Sequence, residues 1–167
     1  MQKKKPITQE QFLKELKEPE EYIGFMLWQA SNVWQRLMKS DMKEFSATYT
    51  QFIILFSIMY LSHKNRTINQ KLIARHAKLD IMTVSDVLKT LVAKELVIRT
   101  INPKDRRNKS LRVSETGAQL VYKTFYKVES SDTQFFSVLG EEESKFNELL
   151  TKLIKGNYDK IFHSNEI

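Results

Sequence analysis

A chain of 167 residues holds one compact domain, or a small module embedded in helices, and has no room for two enzyme-sized domains. Its 4 Gly and 3 Pro argue for long helices over a β-rich sandwich, and the absence of cysteine excludes disulfides, thiolate metal sites and a thiol redox switch. The net charge of +7 is concentrated: residues 63–112 carry 13 Lys/Arg against 4 Asp/Glu, a surplus of +9 that points to a polyanionic partner, while the remainder stands at −2.

At the N-terminus Lys3, Lys4 and Lys5 run into polar, acidic sequence, unlike a signal peptide. Residues 20–39 then place Ile23, Met26, Leu27, Ala30, Val33, Trp34, Leu37 and Met38 at the three-and-four spacing of one helix face. Thr48-Tyr49-Thr50-Gln51 has the form of a capping box, a hydroxyl followed three residues later by an amide, and predicts a second helix from about Tyr49 to Leu61. Within it lies the longest apolar run, Phe52 to Leu61. That is about half of the ~20 residues needed to span a bilayer, so it reads as a buried helix, and a cytoplasmic chain with no membrane partner is expected.

Thr67-Ile68-Asn69-Gln70 repeats the capping pattern and predicts a short helix with Leu72, Ile73 and Ala77 on its inner side. Lys78-Leu79-Asp80 interrupts it. Asp80 is suited to cap a third helix, with Val84, Val87, Leu88 and Leu91 as the buried stripe and Met82, Thr83, Ser85, Asp86 and Lys89 on the polar face. The period then changes: Leu96 to Ile101 and Ser110 to Val113 read as strands, and the basic link of residues 102–109 makes them a β-hairpin with a charged tip. Ser114 opens another helix, carrying Leu120, Val121, Phe125 and Val128 toward Phe135 and Phe136, and Gly140 ends it. A last helix, from Glu141 to about Phe162, starts with three glutamates where the helix dipole favours negative charge and sets Phe146, Leu149, Leu150, Leu153 and Ile154 on one side.

In this order the centre of the chain reads short helix, tight turn, helix, basic hairpin. That is a helix-turn-helix followed by a wing, in which the second helix enters the major groove of DNA. Met82, Thr83, Ser85, Asp86 and Lys89 are its candidate contacts, and Thr67, Asn69, Gln70 and Lys71, at the start of the preceding helix, are candidates for backbone phosphate. The hairpin offers its arginines to a narrow, electronegative minor groove. The competing reading of the same residues is a solvated charged face and turn.

From Thr48 to Gly117 the sequence resembles the MarR (multiple antibiotic resistance regulator) family, over about 70 of 167 residues. The matching residues are Thr48 with Gln51-Phe52 and Leu55, Thr67 through Ile73-Ala74, Val84-Ser85 with Leu91, Leu96-Val97 with Arg99, and Asp105-x-Arg107 followed by Val113-Ser114-x-x-Gly117. The resemblance implies a mainly α fold with a small β-hairpin wing. A winged helix-turn-helix lobe, residues 47–114, would be flanked by dimerisation helices in residues 1–46 and 115–167. The implied partners are a second copy of the chain and a pseudo-palindromic operator in double-stranded DNA. In the wing, made of Asp105, Arg106, Arg107 and Lys109, the resemblance assigns Arg107 to the minor groove and Asp105 to holding the arginines in position.

Two positions depart from the family pattern, Lys78 and Glu95 standing where glycine is usual. Each costs about 1 kcal/mol if the backbone there is left-handed. Asp86 stands where relatives often carry a basic or neutral polar residue, so it either accepts from a cytosine amino group or keeps nonspecific affinity low.

Relatives often hold an aromatic or lipophilic effector between the dimerisation helices and the DNA-binding lobe. Tyr22, Phe25 and Trp28 are the candidates to line such a pocket here, against plain core packing. His63, His76 and His163 lack ligand spacing, so neither metal nor cofactor is expected. Without a phosphate loop, nucleophile elbow or zinc-protease pattern, an enzyme is not expected either. The expected function is a ligand-responsive repressor of transcription. The alternative is a winged-helix adaptor that binds protein without reading DNA.

Overall fold

The computed structural model describes residues 7–64, 67–102 and 105–162, with side chains left out of that description at 101–109 and 159–162. The chain divides into two compact units between Leu37 and Met38.

In the first unit, α1 (Gln9–Glu15) begins at a capping box: the Thr8 hydroxyl accepts from the Gln11 amide at 3.3 Å, and the Gln11 side chain accepts from the Thr8 amide at 3.0 Å. A 3₁₀ turn, Pro19–Glu21, leads into α2 (Ile23–Asp41), which runs into the second unit. The helix expected from Glu20 therefore starts three residues later. Pro19 favours a turn start, and the Glu18 and Glu21 side chains close that turn on themselves before Tyr22 extends.

The second unit is built around α3 (Tyr49–Lys64). Its start is the expected box, with the Thr48 hydroxyl accepting from the Gln51 amide at 3.1 Å and the Gln51 side chain accepting from the Thr48 amide at 3.2 Å. Phe52, Ile54, Leu55, Ile58 and Leu61 are buried because α4 (Gln70–Ala77), α5 (Ile81–Ala93), α6 (Glu115–Phe136) and the second strand of the hairpin all pack on this helix. The apolar run is thus a core helix, each fully buried Ile or Leu contributing about 2 kcal/mol. No single helix among the described residues is long and apolar enough to cross a membrane.

The hairpin joins β1 (Val97–Asn102) to β2 (Asp105–Val113) in antiparallel register, Val97 facing Val113 and Asn102 facing Asp105, with an irregularity between Ile101 and Asn102. This corrects the reading of residues 102–109 as a link: Asp105 to Lys109 continue the strand. Hydrophobic alternation finds strands that rest on a core, whereas this ribbon is held by backbone pairing. The Leu111 amide donates to the Ile68 carbonyl at 2.9 Å, fastening β2 to the segment before α4. Two α-helices follow, joined by a 3₁₀ stretch. The Ser114 hydroxyl accepts from the Gly117 amide at 3.0 Å to cap α6, and a 3₁₀ stretch, Ser137–Glu142, passes through Gly140 at φ 52° into α7 (Glu143–Phe162). Glu141 and Glu142 so belong to the 3₁₀ stretch, and only Glu143 lies in the first turn of α7.

Candidate nucleic-acid interface

The two helices of the helix-turn-helix are α4 and α5. Asn69 caps α4, its side-chain oxygen accepting from the Leu72 amide at 2.9 Å. The expected cap, Thr67, lies outside the helix as an exposed residue, because Ile68 is buried in the core and the helix begins only after it. The Gln70 side-chain amide (Nε2) donates to the Ile81 carbonyl at 3.3 Å and ties the start of α4 to the start of α5. Asn69 and Gln70, both expected at phosphate, already hold the fold together, while Thr67 and Lys71 are exposed.

The turn between the helices contains Lys78 at φ 56°, and the Leu79 amide closes on the Ala74 carbonyl at 3.1 Å. Glu95 repeats the arrangement after α5, at φ 58°, with the Leu96 amide closing on the Leu91 carbonyl at 2.9 Å. Both departures from glycine sit in left-handed backbone at helix C-termini, where a Cβ is strained. Glu95→Gly is expected to raise stability by about 1 kcal/mol, or about 3 °C in Tm. Lys78→Gly should gain less, because the Lys78 ammonium also lies 3.6 Å from the ring centre of Tyr158 on α7. Thermal melts of the two variants check both.

Asp80 caps α5, one oxygen accepting from the Met82 amide at 2.8 Å and the Thr83 amide at 2.9 Å, the other from the Thr83 hydroxyl. The hydrogen bond from the Thr83 hydroxyl, then those from backbone amides, hold its carboxyl below the usual range. The Thr83 hydroxyl is therefore committed to the cap. On the outer face Met82 is 67% exposed and Ser85 is half-buried, while Lys89 donates to Asp86 at 2.8 Å. Asp86 so neutralises the cation nearest it on the reading face. Val84, Leu88 and Leu91 are fully buried on the opposite side and fix the rotation of α5, and Val87 is only half-buried.

For Asp105, Arg106, Arg107 and Lys109, the backbone lies on β2 and the side chains fall outside the described residues. At the base of the wing, Arg99 and Arg112 are exposed cations that the motif reading left out of the interface. Arg112 faces His63 and Lys64 across an open cleft of about 550 Å³. The signal for Arg112 in the sequence was the central charge block alone, whereas Arg99 also stood among the residues that match the family pattern.

Of the other candidates, His76 places Nδ1 3.0 Å from the Ser57 hydroxyl and stacks on Tyr60 with ring centres 5.1 Å apart. Burial, then the charge of Lys78, lowers its pKa. Tyr22, Phe25 and Trp28 belong to the first unit. Phe25 and Trp28 stack at 6.0 Å, the Tyr22 hydroxyl accepts from the Lys17 amide at 3.0 Å, and all three rings are exposed. In the second unit, a cavity of about 340 Å³ opens instead between α3 and α6.

The sequence profile of the MarR family matches residues 48–109, from the cap of α3 into the wing. An uncharacterized HTH-type transcriptional regulator of Bacillus subtilis, YdcH, is 36% identical over 132 residues, covering 79% of this chain and 89% of the relative. Among solved structures, BpsR of Bordetella bronchiseptica, whose DNA binding is described as regulated by 6-hydroxynicotinic acid, superposes with a TM-score of 0.73 at 21% identity, over 83% of this chain and 96% of that one. A mutant MarR from E. coli complexed with operator DNA gives 0.70 at 22% identity, over 83% and 99%. These two likenesses show the fold, and together with YdcH and the matched profile they establish that the chain belongs to the MarR family of winged helix-turn-helix transcriptional regulators.

Proposed function

We propose that this chain is a homodimeric repressor that binds an operator in duplex DNA through α5 and the wing and is released by a small molecule. One observation carries the reading: within the single most basic stretch of the chain, α5 buries Val84, Leu88 and Leu91 and turns Met82, Ser85, Asp86 and Lys89 outward beside the two-stranded ribbon. A helix so mounted can enter a major groove while the wing reaches the adjacent minor groove. Lys71, Arg99 and Arg112 supply further phosphate contacts, and Asn69 and Gln70 act by positioning α4.

The dimer reading rests on apolar surface that a lone chain leaves in water. Leu149, Leu153 and Ile154 on α7 are about half exposed in the second unit, as are Leu27 and Val33 on α2 in the first. Large apolar side chains left in water mark association sites, and the dimerisation helices are assigned to residues 1–46 and 115–167. A regulator working on chromosomal DNA acts in the cytoplasm and carries no catalytic machinery. The neighbours described with operator DNA or with 6-hydroxynicotinic acid support the DNA and effector parts of the reading.

Selection of bound sequences from random duplexes tests it. A palindromic consensus with half-sites about one helical turn, ~34 Å, apart is expected. Recovery of no consensus would favour an adaptor that binds protein.

A further inference from the structure

The cavity between α3 and α6 differs in chemistry from the rest of this basic protein. Its wall is aromatic: Phe52 and Phe56 lie 6.0 Å apart between ring centres, and Phe56 stacks on Phe125 at 6.1 Å with the planes 10° apart. Its ionisable lining is acidic, with Glu129 and Asp132 from α6 and Glu143 from the start of α7, and no Lys, Arg or His lines it among the described residues. Burial, then the carboxylate of Asp132, pushes the Tyr49 phenol at the cavity edge up to about 12. At about 340 Å³ the space suits a small organic molecule of two fused or linked rings.

Three carboxylates beside an aromatic wall repel an aromatic acid and attract an aromatic cation, through Coulomb attraction and through the negative faces of the rings. We infer that the effector of this chain is a planar aromatic cation, held with its ring against Phe56 and Phe125 and its charge toward Glu129, Asp132 and Glu143. The inference deepens the effector part of the regulator reading and rests on it. It also separates this chain from BpsR, whose DNA binding is regulated by a pyridine carboxylic acid. Occupancy between α3, the core helix of the DNA-binding lobe, and α6 shifts the balance between DNA-competent and released states if the two differ in the width of this gap.

The test uses two probes with the same ring and opposite charge, (2-naphthylmethyl)trimethylammonium and 2-naphthylacetate, titrated calorimetrically into the full chain. The cation is expected to bind about tenfold more tightly than the acid. Glu129→Gln combined with Asp132→Asn should bring the two probes to within about threefold, and Phe125→Ala should weaken the cation by about tenfold. Should the double variant fail a thermal melt, Glu129→Gln alone, at an exposed site, is read in its place and should reduce the preference for the cation by about threefold. Equal or tighter binding of naphthylacetate, or cation affinity unchanged by the charge variants, overturns the inference. Binding of neither probe to a chain shown to be dimeric by light scattering also overturns it, the cavity then belonging to the interface between copies. DNA affinity measured on the same sample separates the two readings. Salt-sensitive DNA binding without probe binding removes the cation inference and keeps the regulator, whereas cation binding without DNA binding supports the site and removes the regulator.

Discussion

Raising the salt from about 50 to 200 mM is expected to weaken the affinity of the chain for its duplex about a thousandfold, because each phosphate neutralised by Lys or Arg releases condensed counterions. The central block makes the loss that large: its surplus of +9 comes from Lys64, Arg66, α4 and the wing, whereas α5 is itself neutral, its Lys89 paired with Asp86 on the reading face. Arg107→Ala should lower the slope of log affinity against log salt by about one if that arginine meets a phosphate. Asp86 modifies the result in the opposite sense. It draws Lys89 to 2.8 Å, so Asp86→Asn frees a cation and should raise nonspecific affinity and steepen the slope. Fluorescence anisotropy with an operator and with an unrelated duplex, each across a salt series, reads all of these. A flat salt response would leave the basic block without its partner.

Gly117→Ala is expected to destabilise the chain by about 3 kcal/mol and to lower Tm by about 9 °C, which calorimetry or circular dichroism would measure. A Cβ at Gly117 would stand 2.2 Å from the Leu96 carbonyl oxygen and 2.7 Å from Cγ1 of Val113. The valine can turn, but the carbonyl cannot move freely, since it accepts from the Ser114 amide at 3.0 Å. The junction is tied a second time by the Ser114 hydroxyl, which donates to the Glu95 carbonyl at 2.7 Å while accepting from the Gly117 amide. Relief of the clash pushes α6 away from the base of the wing, so DNA affinity should fall together with stability. The residue that the family resemblance matched as the end of its motif is thus a packing requirement between helix and hairpin.

Capping was legible in the sequence because its hydrogen bonds close within three or four residues. Thr48 with Gln51, Asp80 with Thr83, and Ser114 with Gly117 each satisfy backbone donors from side chains a turn away. Lys78 and Glu95 stood out only against the family pattern, which has glycine there, and the left-handed backbone found at both gives that departure its physical cost. Thr67 misled for a related reason: it and Asn69 are both good caps, and the choice fell to Asn69 once Ile68 was drawn into the core. The strand from Asp105 to Lys109 carries no local signal, because its pairing partners lie across the hairpin and no hydrophobic alternation marks it.

The cavity wall was beyond reach for a stronger reason. Phe52 and Phe56 come from α3 and Phe125 from α6, dozens of residues later, and nothing local to either segment announces that they line one space. Tyr22, Phe25 and Trp28, whose helical spacing is conspicuous in the sequence, lie in the first unit. The sequence by itself settled the order of the helices from α2 onward, most of their caps and the charge block, and carried the family resemblance, all of which depend on neighbours along the chain or on summed composition. Tertiary structure alone decided which polar groups remain available at the interface, how far the wing extends and where aromatic rings meet carboxylates. Those outcomes follow from which distant segments exclude water together, and burial is a property of the packed chain.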